Sequence, residues 1–383
     1  MALHFDGQEL ADRKSLLLAE MQTAKLDAML LFAQESMYWL TGYDTFGFCF
    51  FQCMIVEKTG EVTLLTRSAD LRQARHTSNV ETIVIWEDRA NANPARELKE
   101  LLTERDLLGG RIGVEYDTHG LTAKNGRLLD DALNTFAKLD DASQIVPRLR
   151  AIKSPAEIAY VKKAAELADN ALDAAIPLIK AGADESRILA AMQGAIFEGG
   201  GDYPGNEFII GSGEDALLCR YKSGRRVLED NDQITLEWAG VYRHYHAAMM
   251  RTALTGKPTD RHLELYEAAK AALAACEEAM RPGNTFGDVF AAHAQAMADA
   301  DLIRHRLNAC GYSLGAHFTP CWMDMPMFFA ANPEPIQPNM TLFAHMIIMD
   351  SETQTAMTLG QTYLTQEGDP VNLSRHTLDL IVG

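Results

Sequence analysis

The chain has 383 residues, enough for two or three domains, and 47% of them are hydrophobic, an ordinary share for a protein with a buried core. Asp and Glu outnumber Lys and Arg by 53 to 35, and the net charge of −18 repels phosphate backbones and anionic lipid surfaces, so neither nucleic acid nor a membrane is expected as a partner. No run of about 18 apolar residues occurs, no basic-then-apolar segment opens the chain, and the six cysteines lack CxxC spacing; a cytoplasmic protein with reduced thiols and a small-molecule substrate is expected.

Leu10, Leu16, Leu17, Leu18 and Met21 recur at helical spacing over 9–25. Short apolar runs over 28–32, 48–56, 61–65 and 82–86 predict buried strands, with Thr59-Gly60 as the turn between the second and third. Helical segments near 68–76, 94–105 and 119–136 alternate with them, so residues 1–150 read as an α/β domain. Ser154, Pro155 and Glu157 form a capping-box start for a helix reaching about 180, and Gly199-Gly200-Gly201 stops a second helix over 184–199. Strands follow around 206–211, 233–240 and 243–254, then helices over 259–280 and 285–300, then strands near 340–349 and 355–365. Residues 151–383 therefore read as a second domain.

Glu237 stands mid-strand between Leu236 and Trp238, where burial raises a carboxyl's pKa unless donors surround it. It is the first candidate for nucleophile or general base; a salt bridge to Arg251 or Arg243 is the plain structural alternative. His345 lies on an apolar strand and could shuttle a proton near neutral pH. Strand alternation lets only one of Tyr245 and His246 face a pocket, and His246, two residues before Ala248, is the better choice, with His244 sharing its parity. Arg220 offers a fork for a substrate carboxylate, and Cys219 beside it is a weaker candidate, with small-residue packing as its alternative. The stretch His317–Phe329 is dense in aromatics and methionines, a wall for a cation with Asp324 as counter-charge or ordinary packing.

Several of these segments resemble the creatinase/aminopeptidase P family. Ser36-Met37-Tyr38-Trp39-Leu40-Thr41-Gly42 is similar to a signature of its N-terminal domains, and Leu149-Arg150-Ala151-Ile152-Lys153-Ser154 to its interdomain linker. Leu236-Glu237-Trp238-Ala239-Gly240, Gly311-Tyr312-Ser313-Leu314-Gly315 and Asn339–His345 resemble the segments that carry metal ligands in the family's peptidases. The resemblance implies a creatinase-type α/β domain over 1–150 followed by a pita-bread domain over 151–383, an α+β fold with helices outside a curved antiparallel sheet. It also implies that the five ligand places hold Glu237, Ala248, Tyr312, His345 and Gly360, too few donors for a metal pair, so no metal or other cofactor is expected.

Arg243-His244-Tyr245-His246-Ala247, Arg251-Thr252, and Pro320 with Trp322 resemble the metal-free creatinase and ectoine hydrolase branch, which hydrolyses C–N bonds in small polar molecules. The expected activity is therefore metal-independent hydrolysis of such a bond in a small zwitterionic metabolite. Glu237, His345, Tyr312 and His246 would be catalytic, with Tyr312 on a glycine-flanked turn. Arg220, Cys219 and Trp322 would bind substrate. In a family-type homodimer, Tyr43 and Phe46 of the neighbouring N-terminal domain would close the pocket. Two other readings stay open: an Xaa-Pro dipeptidase with a metal held by Glu237, His345 and His246 or His317, and a binding protein without turnover.

Overall fold

The computed structural model describes residues 3–220 and 224–383, which divide into two compact units, Met1–Arg150 and Ala151–Gly383. In the first, β1 (Ala28–Leu31), β2 (Cys53–Glu57), β3 (Val62–Arg67), β4 (Thr82–Trp86), β5 (Arg111–Val114) and β6 (Lys138–Asp141) form one mixed sheet in the order β4-β3-β2-β1-β5-β6. Helices α1 (Gly7–Ala24), α2 (Gln34–Thr41), α3 (Leu71–Thr77), α4 (Pro94–Glu104) and α5 (Ala123–Leu133) alternate with the strands, and α6 (Ile145–Ala151) runs up to the boundary. The segment Ser36–Thr41 is helical, and its apolar side chains join the core around Met29, Met54 and Leu64. The strand expected over 48–56 starts only at Cys53, after a short 3-10 turn at Gly47–Cys49.

The second unit opens with α7 (Pro155–Ala175) and α8 (Glu185–Glu198). The Ser154–Glu157 capping box is complete: the Ser154 side chain accepts from the Glu157 N–H, and Glu157 accepts from the Ser154 N–H at 2.9 Å. An antiparallel sheet follows, built from β7 (Ile209–Ser212), β8 (Gln233–Tyr242) and β9 (Tyr245–Leu254). After α9 (Asp260–Ala279) and α10 (Phe286–Asp299) it continues through β10 (Ala309–Ser313), β11 (Asp324–Phe329), β12 (Thr341–Asp350) and β13 (Thr355–Leu364). The strand order is β11-β10-β12-β13-β9-β8-β7. No helix among the described residues is long and apolar enough to cross a membrane.

One face of this sheet carries the helices. Trp238 points there and donates its indole N–H to the Ala168 carbonyl of α7 at 2.9 Å, and Tyr245 points there to donate to Glu157 at 2.6 Å. Helix α7 lies so close that a Cβ on Gly240 would meet the Ala164 carbonyl oxygen at 1.9 Å. Glycine is the residue that permits this approach. Alternation then sends Glu237, Ala239, Ala248 and His246 to the other face.

Candidate active site

Cross-strand register assembles the site. Glu237 on β8 pairs with Met250 on β9, Met250 with Gly360 on β13, and Gly360 with His345 on β12. Directly paired residues share a face, so Glu237 and His345 look out from one row across four strands. Tyr312 on β10 pairs with Phe343, two residues before His345, and joins the same face. Its position is a strand, where a turn was expected from the flanking glycines. The backbone there still needs glycine, because a Cβ on Gly311 would meet the Phe343 carbonyl oxygen at 2.1 Å.

Glu237, His345, Tyr312, Cys219 and Arg220 line one cavity of about 110 Å³. Leu307, Met323, Met327 and Ile347 supply its apolar wall. Met323 and Met327 come from the His317–Phe329 stretch read from the sequence as a possible wall, and Met327 pairs with Tyr312 on the neighbouring strand; Leu307 and Ile347 were not singled out.

Burial dominates the electrostatics. It pushes the Glu237 carboxyl up to about 7, with the positive charge of Arg220 pulling weakly the other way and no protein hydrogen bond opposing it. The salt bridge to arginine, the structural alternative for Glu237, does not form. Arg251 lies on the helix face, where it donates to the Met250 and Gly360 carbonyls at 2.9 and 2.6 Å, and Arg243 stacks on Tyr160, 4.7 Å from the ring centroid. Burial also drives His345 down to about 3, helped by the nearby charges of His293 and Arg220. Burial thus favours the neutral imidazole, which weighs against the proton exchange near pH 7 expected of it; its Nδ1 has no protein partner among the described residues. Tyr312 is held well above the usual phenol range, first by burial and then by the Glu237 carboxylate.

Other expected site residues fall elsewhere. His246 shares the face but pairs with Val241, four residues along β8 from Glu237, and lies outside the cavity. Its Nε2 accepts from the Gly205 N–H at 2.9 Å, and burial lowers its pKa to about 3. His244 is not on the strand: with Arg243 it makes the β8–β9 hairpin turn, both at positive φ (65° and 50°), and its ring stacks on Phe318 at 4.2 Å. Trp322 is 1% exposed and touches Tyr312 in place of the cavity, donating its indole N–H to the phenol oxygen at 2.9 Å.

Asp324 is no counter-charge for a cation in the cavity. It is buried beside His317, at 3.4 Å, and pairs with Ser313, opposite in alternation to Tyr312. Phe328 belongs to the core and stacks on Phe286. Tyr43 is fully buried in the core of its own unit, with its hydroxyl on Gln52, so it cannot close a neighbour's pocket; Phe46 is 77% exposed. Cys219 is half-buried and Arg220 exposed.

Residues 159–367 match the metallopeptidase family M24, and residues 13–152 match the creatinase/prolidase N-terminal domain. The chain belongs to the M24 family. Ectoine hydrolase of Halomonas elongata is 28% identical over 358 residues, 89% of each chain. An Xaa-Pro dipeptidase of Pyrococcus furiosus is 25% identical over 72% of this chain and 73% of its own. Among solved structures, a prolidase from Thermococcus sibiricus superposes with a TM-score of 0.88 at 19% identity, over 98% of this chain and 99% of that one. Dipeptidase PepE of Mycobacterium ulcerans gives 0.85 at 22%, over 99% of each. The two-domain pita-bread architecture read from the sequence is therefore the fold of this M24 chain. Among its described residues no three His, Cys, Asp or Glu side chains are grouped to hold a metal ion.

Proposed function

We propose that this M24 hydrolase cleaves a C–N bond in a small zwitterionic metabolite without a metal. The donor set of the cavity carries the reading. Hydrolytic metal sites take about three or more protein ligands, and the three side chains of that kind on the cavity, Glu237, His345 and Cys219, are not grouped to hold an ion. Position 360 has no room for another, since even a Cβ there would meet the Ala344 carbonyl oxygen at 2.9 Å and the His345 Cβ at 3.0 Å. The residues do not fit the metal pair that the family's name implies. Likeness to ectoine hydrolase over 89% of the chain supports a non-peptide substrate.

In this reading Arg220, at the mouth, pairs with the substrate carboxylate. Ionised Glu237 takes a proton from the attacking water as the C–O bond forms, and the resulting acid returns that proton to the nitrogen as the C–N bond breaks. A carboxyl near pKa 7 serves both steps at neutral pH. The Tyr312 O–H donates to the negative charge that develops, and neutral His345 presents Nδ1 to the substrate. The small volume and the methionine-lined wall suit a compact molecule with an aliphatic part.

The test is elemental analysis of the purified protein before and after chelation, together with turnover of ectoine, creatine and an Xaa-Pro dipeptide. Chelated, metal-free protein that opens the ring or releases urea, with a rate that rises with pH through about 7 and is lost in Glu237→Gln, is the expected result. Stoichiometric metal with dipeptide cleavage would overturn it.

A further inference from the structure

Cys219 and Arg220 reach the cavity at the end of a short segment that leaves β7 at Ser212, and the side chains that hold this segment lie outside the cavity lining. It passes through a 3-10 turn at Gly213–Leu217 before arriving at Cys219. Gln233 donates to the Gly213 carbonyl at 3.1 Å and Thr235 to the Ala216 carbonyl at 2.8 Å, which lays the turn against β8. The start of the segment is held by Glu185, the first residue of α8, whose side chain is fully buried. One carboxylate oxygen of Glu185 accepts from the Ser212 N–H at 2.9 Å and from the Ser212 hydroxyl at 2.5 Å. The other accepts from the Arg226 N–H at 3.4 Å, and the Glu185 N–H donates to the Arg226 carbonyl at 3.1 Å. The Arg226 guanidinium closes the ring by donating to the Ser212 hydroxyl oxygen at 3.1 Å, while also pairing with Asp232.

A carboxylate in the first turn of a helix ordinarily faces water and complements the helix dipole. Asp184 already caps α8 by accepting from the Ser186 N–H at 2.8 Å, so the helix does not need Glu185 for that. Burying a carboxylate is costly unless donors surround it, and the donors to Glu185 come from Ser212 and Arg226, which flank Cys219 and Arg220 in sequence. We propose that Glu185 is a positioning residue: by tying Ser212 to Arg226 it fixes the start of the segment that carries Cys219 and Arg220, and so holds the Arg220 guanidinium at the mouth of the cavity. This rests on the reading above in assigning Arg220 to the substrate's carboxylate.

The six free cysteines make the test possible, because they report on different places at once. Each is followed in the full chain by iodoacetamide labelling and peptide mass spectrometry. Glu185→Gln keeps the shape but turns an amide nitrogen toward N–H groups that need an acceptor, so the clasp opens on one side. Half-buried Cys219 is then expected to label about tenfold faster, while the buried Cys53, Cys276 and Cys310 keep their parent rates. The Glu237 midpoint gives a second readout, from infrared titration with the band assigned by its loss in Glu237→Gln. The charge of Arg220 opposes the effect of burial there, so displacing Arg220 raises the midpoint, by no more than Arg220→Gln does. The sign separates this from a direct effect, since removing the negative charge of Glu185 would by itself favour ionised Glu237 and lower the midpoint.

An unchanged Cys219 rate would overturn the proposal, as would an unmoved or lowered Glu237 midpoint. Faster labelling of the buried cysteines in step with Cys219 would overturn it too, because Glu185 would then serve the fold in general. Should Glu185→Gln not fold, Ser212→Ala removes the hydroxyl donor and carries the test with the same outcomes, the expected changes being smaller. None of these readouts needs turnover. Failure of the hydrolysis assay and failure of this inference are therefore separate results.

Discussion

Glu237 is a carboxyl whose charged form nothing in the protein solvates, and that makes its cost depend on pH. Between its ordinary value of 4.5 and about 7 the folded state keeps a proton that the unfolded state has lost, so the stabilising contribution is complete below 4.5 and disappears as pH rises through 7. Glu237→Gln, which is neutral in both states, is expected to equal the parent near pH 4.5 and to exceed it by about 3 kcal/mol at pH 8. Urea unfolding at the two pH values checks this. If the variant were equally or less stable at pH 8, a hidden donor would have to exist. A perturbed carboxyl was legible at this position because Leu236 and Trp238 flank it on a strand. Its lack of an arginine partner was not, since only the three-dimensional register shows Arg251 on the far side of the sheet.

At the level of elements, the site depends on how α7 meets the sheet. Glycine at 240 lets the helix backbone come within contact distance of β8, and that helix face collects Trp238 and Tyr245, leaving Glu237 and His246 for the opposite face. Gly240→Ala forces a methyl against the Ala164 carbonyl and is expected to cost at least about 3 kcal/mol, measured by denaturant unfolding; a loss under about 1 kcal/mol would mean the helix shifts freely. Strong periodicity and caps made α7, α8, β8, β9, β12 and β13 readable in advance. The glycine-flanked Tyr312 segment misled because glycine marks close backbone approach as well as turns, and here it marks strand β10 against β12. The parity argument placed His246 on the right face. It could not say how far along the strand the cavity extends.

For the whole molecule, the two units are expected to respond to mild acid in opposite directions. In the first, Glu115 accepts from the Phe32 and Ala33 N–H groups and from Ser36, yet complete burial still raises it to about 7. Its stabilising contribution therefore grows, by about 3 kcal/mol, as pH falls from 7 to 4.5. In the second, burial lowers His246 and His345 to about 3 and His293 to about 4, against an ordinary value of 6.5. Those three contribute stability that is present above 6.5 and is lost as pH falls toward their folded values, with Glu237 acting in the opposite direction. Hydrogen exchange in moderate urea at pH 7 and pH 5, corrected for intrinsic rates, should show protection rising in peptides from 1–150 and falling in those from 151–383. A parallel change in both would contradict this assignment.

Caps, periodicity and alternation were enough to read two domains and to put Glu237 and His345 on strands, because these depend on local spacing that the sequence carries directly; the family came from motif resemblance and from the match over residues 159–367. The tertiary structure alone decided which of the inward residues share a cavity and that Trp322 and His246 lie outside its lining. Those outcomes follow from register across non-neighbouring strands and from contacts between segments more than a hundred residues apart. Neither leaves a period or a motif in the sequence.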